Sequence, residues 1–218
     1  MKIAIDGPAG AGKSTLARSL ARKLGFVHID TGAMYRALTW KALCAGIDMN
    51  NPDLLAALAS SLEFHFETHH STQRIFCDGQ DLTELIRSPE VTEMVSLVAT
   101  HTKVRAIMVE KQKIMAAANN VIMDGRDIGE QVLPDAEFKF FLTADLDHRA
   151  YRRVLEMKQQ GYHMPRDIIK NELEKRDRLD SEREVGALKV LPDSIVIDTS
   201  SSTADEVLQQ ILALVTEN

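Results

Sequence analysis

The chain opens with a short apolar run that stops at a glycine. Residues 2–5 precede the Asp6-Gly7 pair, and residues 13–24 then carry Leu16, Leu20 and Leu24 at every fourth position. A short apolar run before a glycine is typical of a buried strand, and apolar side chains four residues apart share one face of a helix. The pattern therefore predicts strand, loop and helix in that order.

The same order of elements returns further along the chain. Gly25 ends the first helix, residues 26–29 form a second short apolar run, and a helical pattern follows Asp30. Later apolar runs that fit buried strands lie at residues 121–123, 138–142 and 194–197. Strands that alternate with helices favour a parallel sheet covered by helices, so the predicted fold class is α/β.

Two segments depart from this alternation. Residues 62–77 alternate apolar and polar side chains on both sides of a polar turn, which predicts a small antiparallel insert. Residues 145–183 are densely charged and mostly helical in pattern, with a break at residues 161–165. We interpret this second segment as two helices that form a mobile lid.

Composition limits the classes of protein to consider. The 218 residues, 44% hydrophobic and 27% charged, fit one main folded domain. A formal charge of -6 disfavours binding to a nucleic-acid polymer. Cys44 and Cys77 form no CxxC pattern and are interpreted as structural thiols. Because neither a signal peptide nor a membrane span is evident, a cytoplasmic protein without a membrane partner is expected.

Residues 7–14 read GPAGAGKS, the spacing of a phosphate-binding loop (P-loop). Glycines let backbone amides converge on a phosphate, the lysine reaches the β- and γ-phosphates, and the serine hydroxyl ligates Mg²⁺. The loop follows a strand and opens a helix, as this function requires. The predicted ATP-binding residues are Gly7, Pro8, Ala9, Gly10, Ala11, Gly12, Lys13, Ser14 and Thr15, with Ser14 as the metal ligand.

Three further polar clusters could bind phosphates or a nucleotide. DTGAMYR (30–36) and DGRD (124–127) each follow a predicted strand, where open α/β sheets bind ligands. In EKRDRLDSERE (174–184), Arg176, Asp180 and Arg183 fall within about 60° on a helical wheel, on the apolar side of the helix. Each cluster has an ordinary alternative: a capped helix start, an internally paired turn, and a solvated charged face. Arg149, Arg152 and Arg153, earlier in the lid, could assist the last cluster. His65, His69 and His70 lie in the insert, and we interpret them as solvated side chains rather than metal ligands.

GPAGAGKST, DTGAMYR, DGRDIG and RDRLDSER, in this order over essentially the whole chain, resemble the bacterial cytidylate kinase family. The resemblance implies a P-loop kinase fold: a core parallel sheet flanked by helices, an acceptor region with a small antiparallel insert, and a helical lid. A single domain, 1–218, would comprise a core (1–30, 98–144, 184–218), the acceptor region 31–97 and the lid 145–183. One departure is Ala187, where relatives commonly carry proline.

The resemblance also implies a role for each matching residue. Lys13, Arg126 and Arg183 would be catalytic through their charge. Around the acceptor, Thr31, Tyr35, Arg36, Arg126 and Arg183 would surround the phosphate, Arg176 and Asp180 the pentose, and Ser96, Arg105 and Asp127 the cytosine.

The expected reaction is Mg²⁺-dependent transfer of phosphate from ATP to CMP or dCMP. A carboxylate at Asp127 would accept from the exocyclic amine of cytosine and repel the carbonyl of uracil. A monophosphate has a second pKa of ~6, so no catalytic base is needed near neutrality. The alternatives are a kinase for another small acceptor, such as UMP, and a nucleotide-dependent switch or binding module. A monomer is the default expectation.

Overall fold

The computed structural model describes residues 1–69, 72–117, 119–159 and 161–216. Within these residues the chain begins with strand, helix, strand and helix, as the hydrophobic pattern predicts, and contains both α-helices and β-strands throughout. The strands are β1 Lys2–Asp6, β2 Val27–Asp30, β3 Phe64–His69, β4 Thr72–Cys77, β5 Gln80–Asp81, β6 Val121–Asp124, β7 Phe138–Thr143 and β8 Ile195–Asp198. The α-helices are α1 Lys13–Leu24, α2 Thr31–Cys44, α3 Pro52–Ser61, α4 Pro89–Val98, α5 Thr102–Ala117, α6 Leu146–Gln159, α7 Arg166–Ser181 and α8 Ala204–Thr216.

Contacts between residues divide the chain into two compact units. The first unit contains residues 1–28 and 119–218, and the second contains residues 29–118. The chain passes from the first unit to the second within β2. The predicted partition into core, acceptor region and lid is a finer division and stays a prediction.

The first unit is built around a sheet with the strand order β2-β6-β1-β7-β8. β1 pairs in parallel with β6 and with β7, and β7 pairs in parallel with β8. The side chains of Ile3, Ala4 and Ile5 are fully buried, because helices cover both faces of a parallel sheet. The predicted strands 2–5, 26–29, 121–123, 138–142 and 194–197 all occur, each shifted or extended by one residue.

Helix α1 occupies the predicted residues 13–24, and its leucine face packs on the sheet. Leu16 and Leu20 belong to a buried cluster with Phe140 of β7 and Ile211 of α8. The helix ends where Gly25 adopts the left-handed conformation and its N–H donates to the carbonyl of Ala21. This packing fixes the residues just before the helix, which are the P-loop.

Helices α6 and α7 form the segment that the sequence predicts as a lid. They are separated at Gly161–Pro165, as predicted, and pack through Ala150, Ile169 and Leu173. The helix assumed for residues 174–184 is too long. α7 ends at Ser181, because residues 182–184 offer no apolar side chain to bury. Arg183 therefore lies beyond the helix. The mobility of this segment stays a prediction.

The second unit contains four helices and the small sheet with order β3-β4-β5 among its described residues. The predicted antiparallel insert is confirmed, since β3 and β4 pair in an antiparallel register from Phe64↔Cys77 to His69↔Thr72. Asp78 and Gly79 both have positive φ, which suits the tight turn between β4 and β5. His65 is exposed, whereas His70 lies outside the described residues.

Three helices of the second unit, α2, α3 and α4, start at capping residues. The side chains of Asp30, Asn51 and Ser88 accept backbone N–H groups of α2, α3 and α4, and proline opens the latter two helices. Across the part of the chain that the structure describes, no helix has the length and apolar character to cross a membrane.

Candidate active site

The P-loop has the backbone conformation that its glycines predict. Gly7, Gly10 and Gly12 all have positive φ, at 145°, 80° and 88°. At Gly7 a Cβ atom would lie 2.1 Å from the carbonyl oxygen of Leu142, so no larger residue fits there. The loop is therefore packed against the end of β7 and held in one shape.

The lysine of the P-loop is buried without a carboxylate hydrogen-bonded to it among the described contacts. Lys13 is 6% exposed, and its Nζ donates to the carbonyl oxygen of Pro8 at 2.7 Å. Burial, and next the positive charge of Arg126, lower the pKa of Lys13 well below its ordinary value. An anion bound in the loop would offset both effects, so the site is electrostatically suited to a phosphate.

Ser14 is linked to the end of β6 by a hydrogen bond to a buried carboxylate. Its Oγ donates to Oδ2 of Asp124 at 2.6 Å, and Oδ1 of Asp124 lies 2.7 Å from Nε2 of His28. Burial alone would raise the pKa of Asp124, but the hydrogen bonds from His28 and Ser14 and the charges of His28 and Lys13 lower it overall. Asp124 is thus ionised near neutrality and holds the serine hydroxyl.

These residues fit a magnesium ion. A hydroxyl has one proton and two lone pairs, so a serine that donates to Asp124 keeps its lone pairs for a cation. Mg²⁺ takes oxygen ligands and needs few from the protein, because substrate phosphates and water supply the rest. In the described ranges no three His, Cys, Asp or Glu side chains group as a metal cage would require. Ser14 would hold the ion, and the ion would neutralise phosphate charge.

A second buried carboxylate connects β1 to the segment after β6. Asp6, 7% exposed, accepts the backbone N–H groups of Ile128 and Gly129 at 2.8 and 2.9 Å. Burial raises the pKa of Asp6 to about 6, although both N–H groups oppose the change; the charge of Asp127 adds to it. Asp6 therefore fixes the backbone that follows the DGRD motif.

The DGRD and RDRLDSER motifs meet within the first unit. Nε of Arg126 donates to Oδ2 of Asp180 at 2.6 Å, and Arg183 forms an ion pair with Oδ1 of the same carboxylate. Asp180 is 1% exposed; burial would raise its pKa, but Arg126, Arg183 and Arg176 lower it overall. Asp180 is buried like Ile169 and Leu173 of the same helix, and the predicted contact of this side of α7 with an anionic ligand stays a prediction. The structure gathers predicted phosphate and pentose residues around one carboxylate.

Asp127, predicted to contact the cytosine, follows β6 in the first unit, whereas five other predicted acceptor residues belong to the second unit. Thr31, Tyr35, Ser96 and Arg105 are buried, and the Arg105 guanidinium lies 6.0 Å from the centroid of the Tyr35 ring. Arg36 is half-buried, and its Nη1 donates to the carbonyl of Ile86 and to Oγ1 of Thr92. Their common role in binding an acceptor stays a prediction.

A cavity of about 370 Å³ adjoins the P-loop on the side of α6. Its walls include Gly12, which precedes α1, and Thr15 in the first turn of α1. Arg152 and Arg153 of α6 and Thr199 after β8 also line it. Arg152 donates to both the hydroxyl and the carbonyl of Thr199, and Arg153 pairs with Glu156. Of the three arginines that could assist, Arg152 and Arg153 line the cavity beside the loop.

Arg149, the third arginine that could assist, is buried against the P-loop. It is 7% exposed and donates to the carbonyls of Ala144 at 2.9 Å and Ala9 at 3.1 Å, and to Asp177 at 2.6 Å. These hydrogen bonds connect α6 with the P-loop and with α7. In this position Arg149 supports the backbone of the P-loop.

Sequence reasoning missed two buried polar residues that support the site, Asp6 and His28, and it did not predict the contacts of Arg149. Asp6 directly precedes Gly7, and His28 is the one polar side chain in the run FVHI, so a charged or polar residue in a buried strand was the available signal. Ile128, a partner of Asp6, lies 122 residues away, and Asp124, the partner of His28, lies 96 residues away, so the sequence pattern does not identify them.

Comparison with known proteins agrees with the motifs. The family model for cytidylate kinase matches residues 3–217. A cytidylate kinase of Bacillus cytotoxicus is 48% identical over 217 residues, covering 100% of this chain and 96% of the relative. That of Bacillus cereus is 47% identical over 215 residues, with 99% and 96% covered. An uncharacterized protein from Eubacterium ventriosum shares the fold alone, with a TM-score of 0.54, 14% identity, and 100% and 99% of the two chains covered. The chain belongs to the cytidylate kinase family.

Proposed function

We propose that the protein transfers the γ-phosphate of ATP to CMP or dCMP, which gives ADP and CDP or dCDP. One observation carries the proposal within a cytidylate kinase family chain. The first unit contains a P-loop with a buried lysine and, separately, two arginines paired with one buried aspartate. A kinase acting on a phosphorylated acceptor needs one positive site for each phosphate.

The donor is assigned to the P-loop and the cavity beside it. The amides of residues 7–15 would bind the phosphates of ATP, Lys13 would reach the β- and γ-phosphates, and Ser14 would ligate Mg²⁺. The cavity beside Thr15 and Arg152 has room for the nucleoside part of ATP. Mg²⁺ would supply charge neutralisation on the phosphates when bound.

The acceptor is assigned to the residues that match the family motifs. Arg36, Arg126 and Arg183, with Thr31 and Tyr35, would bind the phosphate, and Arg176 and Asp180 the pentose. Ser96, Arg105 and Asp127 would select cytosine, because a carboxylate accepts from its exocyclic amine.

Catalysis in this proposal comes from position and charge. The acceptor phosphate is largely deprotonated near neutrality, so its oxygen attacks without a general base. Lys13, Arg126 and Arg183 would stabilise the charge that spreads over the transferred group. Closure of α6 and α7 over the nucleotides would exclude water and prevent hydrolysis of ATP.

A coupled assay with ATP against CMP, dCMP, UMP and AMP tests the proposal. Preferred turnover of CMP or dCMP is expected. Preference for UMP would favour a kinase for another acceptor, and nucleotide binding without multiple turnovers would favour a switch. Absence of CMP turnover at millimolar concentration contradicts the proposal.

The assigned arginines can be tested against exposed ones. Arg36→Ala and Arg183→Ala should each lower kcat/KM for CMP at least tenfold, or ~1.4 kcal/mol of transition-state stabilisation. Exposed Arg87 in the second unit and Arg178 in α7 are the matched controls. Near-normal kinetics in both test variants would remove the phosphate assignment. A cytoplasmic location, a monomeric state and the lack of a nucleic-acid partner stay predictions.

A further inference from the structure

The strand β2 places an imidazole where the hydrophobic pattern would place an apolar side chain. His28 is 5% exposed, and its Nε2 lies 2.7 Å from Oδ1 of Asp124, which is itself 2% exposed. A buried polar side chain lowers stability unless it is hydrogen-bonded, so this pair replaces packing with a specific interaction. The interaction also affects the hydroxyl of Ser14, which donates to the same carboxylate.

The direction of the hydrogen bonds follows from the charge of Asp124. An ionised carboxylate can only accept, so the Nε2–H of His28 donates to Oδ1 and the hydroxyl of Ser14 donates to Oδ2 at 2.6 Å. The two oxygens thus have different tasks. One oxygen is anchored to β2, and the other holds the proton of the P-loop serine.

We propose that His28 is a positioning residue for the magnesium site: it fixes the Asp124 carboxylate so that the Ser14 hydroxyl keeps its lone pairs for the ion. The inference rests on the proposed function, because it takes Ser14 as a ligand of the Mg²⁺ that accompanies ATP. Without His28, Oδ1 of Asp124 loses this hydrogen bond, and the acceptor of the serine hydroxyl is held less firmly. Groups that orient a metal ligand typically change metal affinity by about 10–100-fold.

The test compares binding of a non-hydrolysable ATP analogue with and without Mg²⁺, by calorimetry, in excess Mg²⁺ and in EDTA. The ratio of the two affinities measures the contact between protein and metal, because binding of metal and nucleotide is linked. His28→Phe removes the donor, and His28→Asn carries a donor too short to reach Asp124. His28→Gln places an amide nitrogen at about the reach of Nε2.

The matched control is His101→Phe. His101 is half-buried and its Nε2 donates to the carbonyl of Met49 at 2.7 Å, within the second unit. We expect His28→Phe and His28→Asn to lower the affinity ratio about tenfold. We expect His28→Gln to recover it to within about twofold, and His101→Phe to leave it unchanged.

Two outcomes would overturn the inference. The first is an unchanged ratio in folded His28→Phe or His28→Asn, including the case in which both affinities fall together, as a purely structural defect would produce. The second is a parent protein that binds the analogue equally well with and without Mg²⁺. Neither measurement uses CMP, so failure of CMP turnover tests the proposed function separately.

Discussion

Replacing Asp6 with asparagine tests how the protein tolerates an ionised group beneath its P-loop. The asparagine side chain would keep one acceptor for the Ile128 and Gly129 N–H groups and lose the other, which lowers stability by about 1–3 kcal/mol at every pH. The informative quantity is the part that changes with pH. That part belongs to the carboxylate alone.

The magnitude follows from the burial of the carboxyl group. The difference between its ordinary pKa of 3.8 and a folded value of about 6 corresponds to roughly 3 kcal/mol. Because the folded state holds the proton more tightly, the contribution of Asp6 to stability is fully present below pH 3.8 and is lost as the pH rises through about 6. The stability of the parent relative to Asp6→Asn should therefore fall by roughly 3 kcal/mol from about pH 3 to about pH 7.

Urea unfolding of both proteins at a series of pH values, followed by circular dichroism, measures this difference. Asp135→Asn, at an exposed aspartate near the same segment, controls for the loss of one carboxylate. A difference that does not change with pH would contradict the reasoning. A difference that rises with pH would show that the two N–H donors outweigh burial and lower the pKa of Asp6.

Further predictions concern the loop and its supports. Gly7→Ala should lower the free energy of unfolding by about 3 kcal/mol or more, because its Cβ meets the Leu142 carbonyl, whereas Gly12→Ala, with no atom within 4 Å, should cost only about 1–2 kcal/mol. Equal urea midpoints would contradict this. Asp180→Ala leaves two arginines without their shared carboxylate. Urea unfolding should show a loss of about 3–5 kcal/mol in the free energy of unfolding, and steady-state kinetics should show a raised KM for CMP. Arg149→Met frees the P-loop carbonyl of Ala9 and should raise the KM for ATP about tenfold, with little effect on the KM for CMP.

The regular elements of the first unit could be predicted because their signals are local. Leucines four residues apart define α1, and short apolar runs define β1, β6 and β7. The P-loop needs particular residues at fixed spacing, so its position is also local information. In the second unit, by contrast, the strand β5 is only two residues long, carries no periodic pattern and was not predicted.

The connections behind the site could not be predicted for a different reason. The Asp6 to Ile128 and His28 to Asp124 hydrogen bonds join residues 122 and 96 positions apart, and they depend on strand order and register. The motif singled out Arg126 and the helical face singled out Asp180, but the sequence did not predict that these two residues form an ion pair. Sequence patterns indicate which residues are unusual, whereas the fold decides what they contact.

The position of β1 at the centre of its sheet has a consequence for synthesis of the chain. Lys2 pairs in register with Val121 and Ile3 with Phe138, so the first strand has to wait for residues made much later. Residues 29–118 are continuous and need no such delay, so we expect them to fold first on the ribosome. The P-loop, which rests on Leu142, would reach its binding conformation only after two thirds of the chain has emerged.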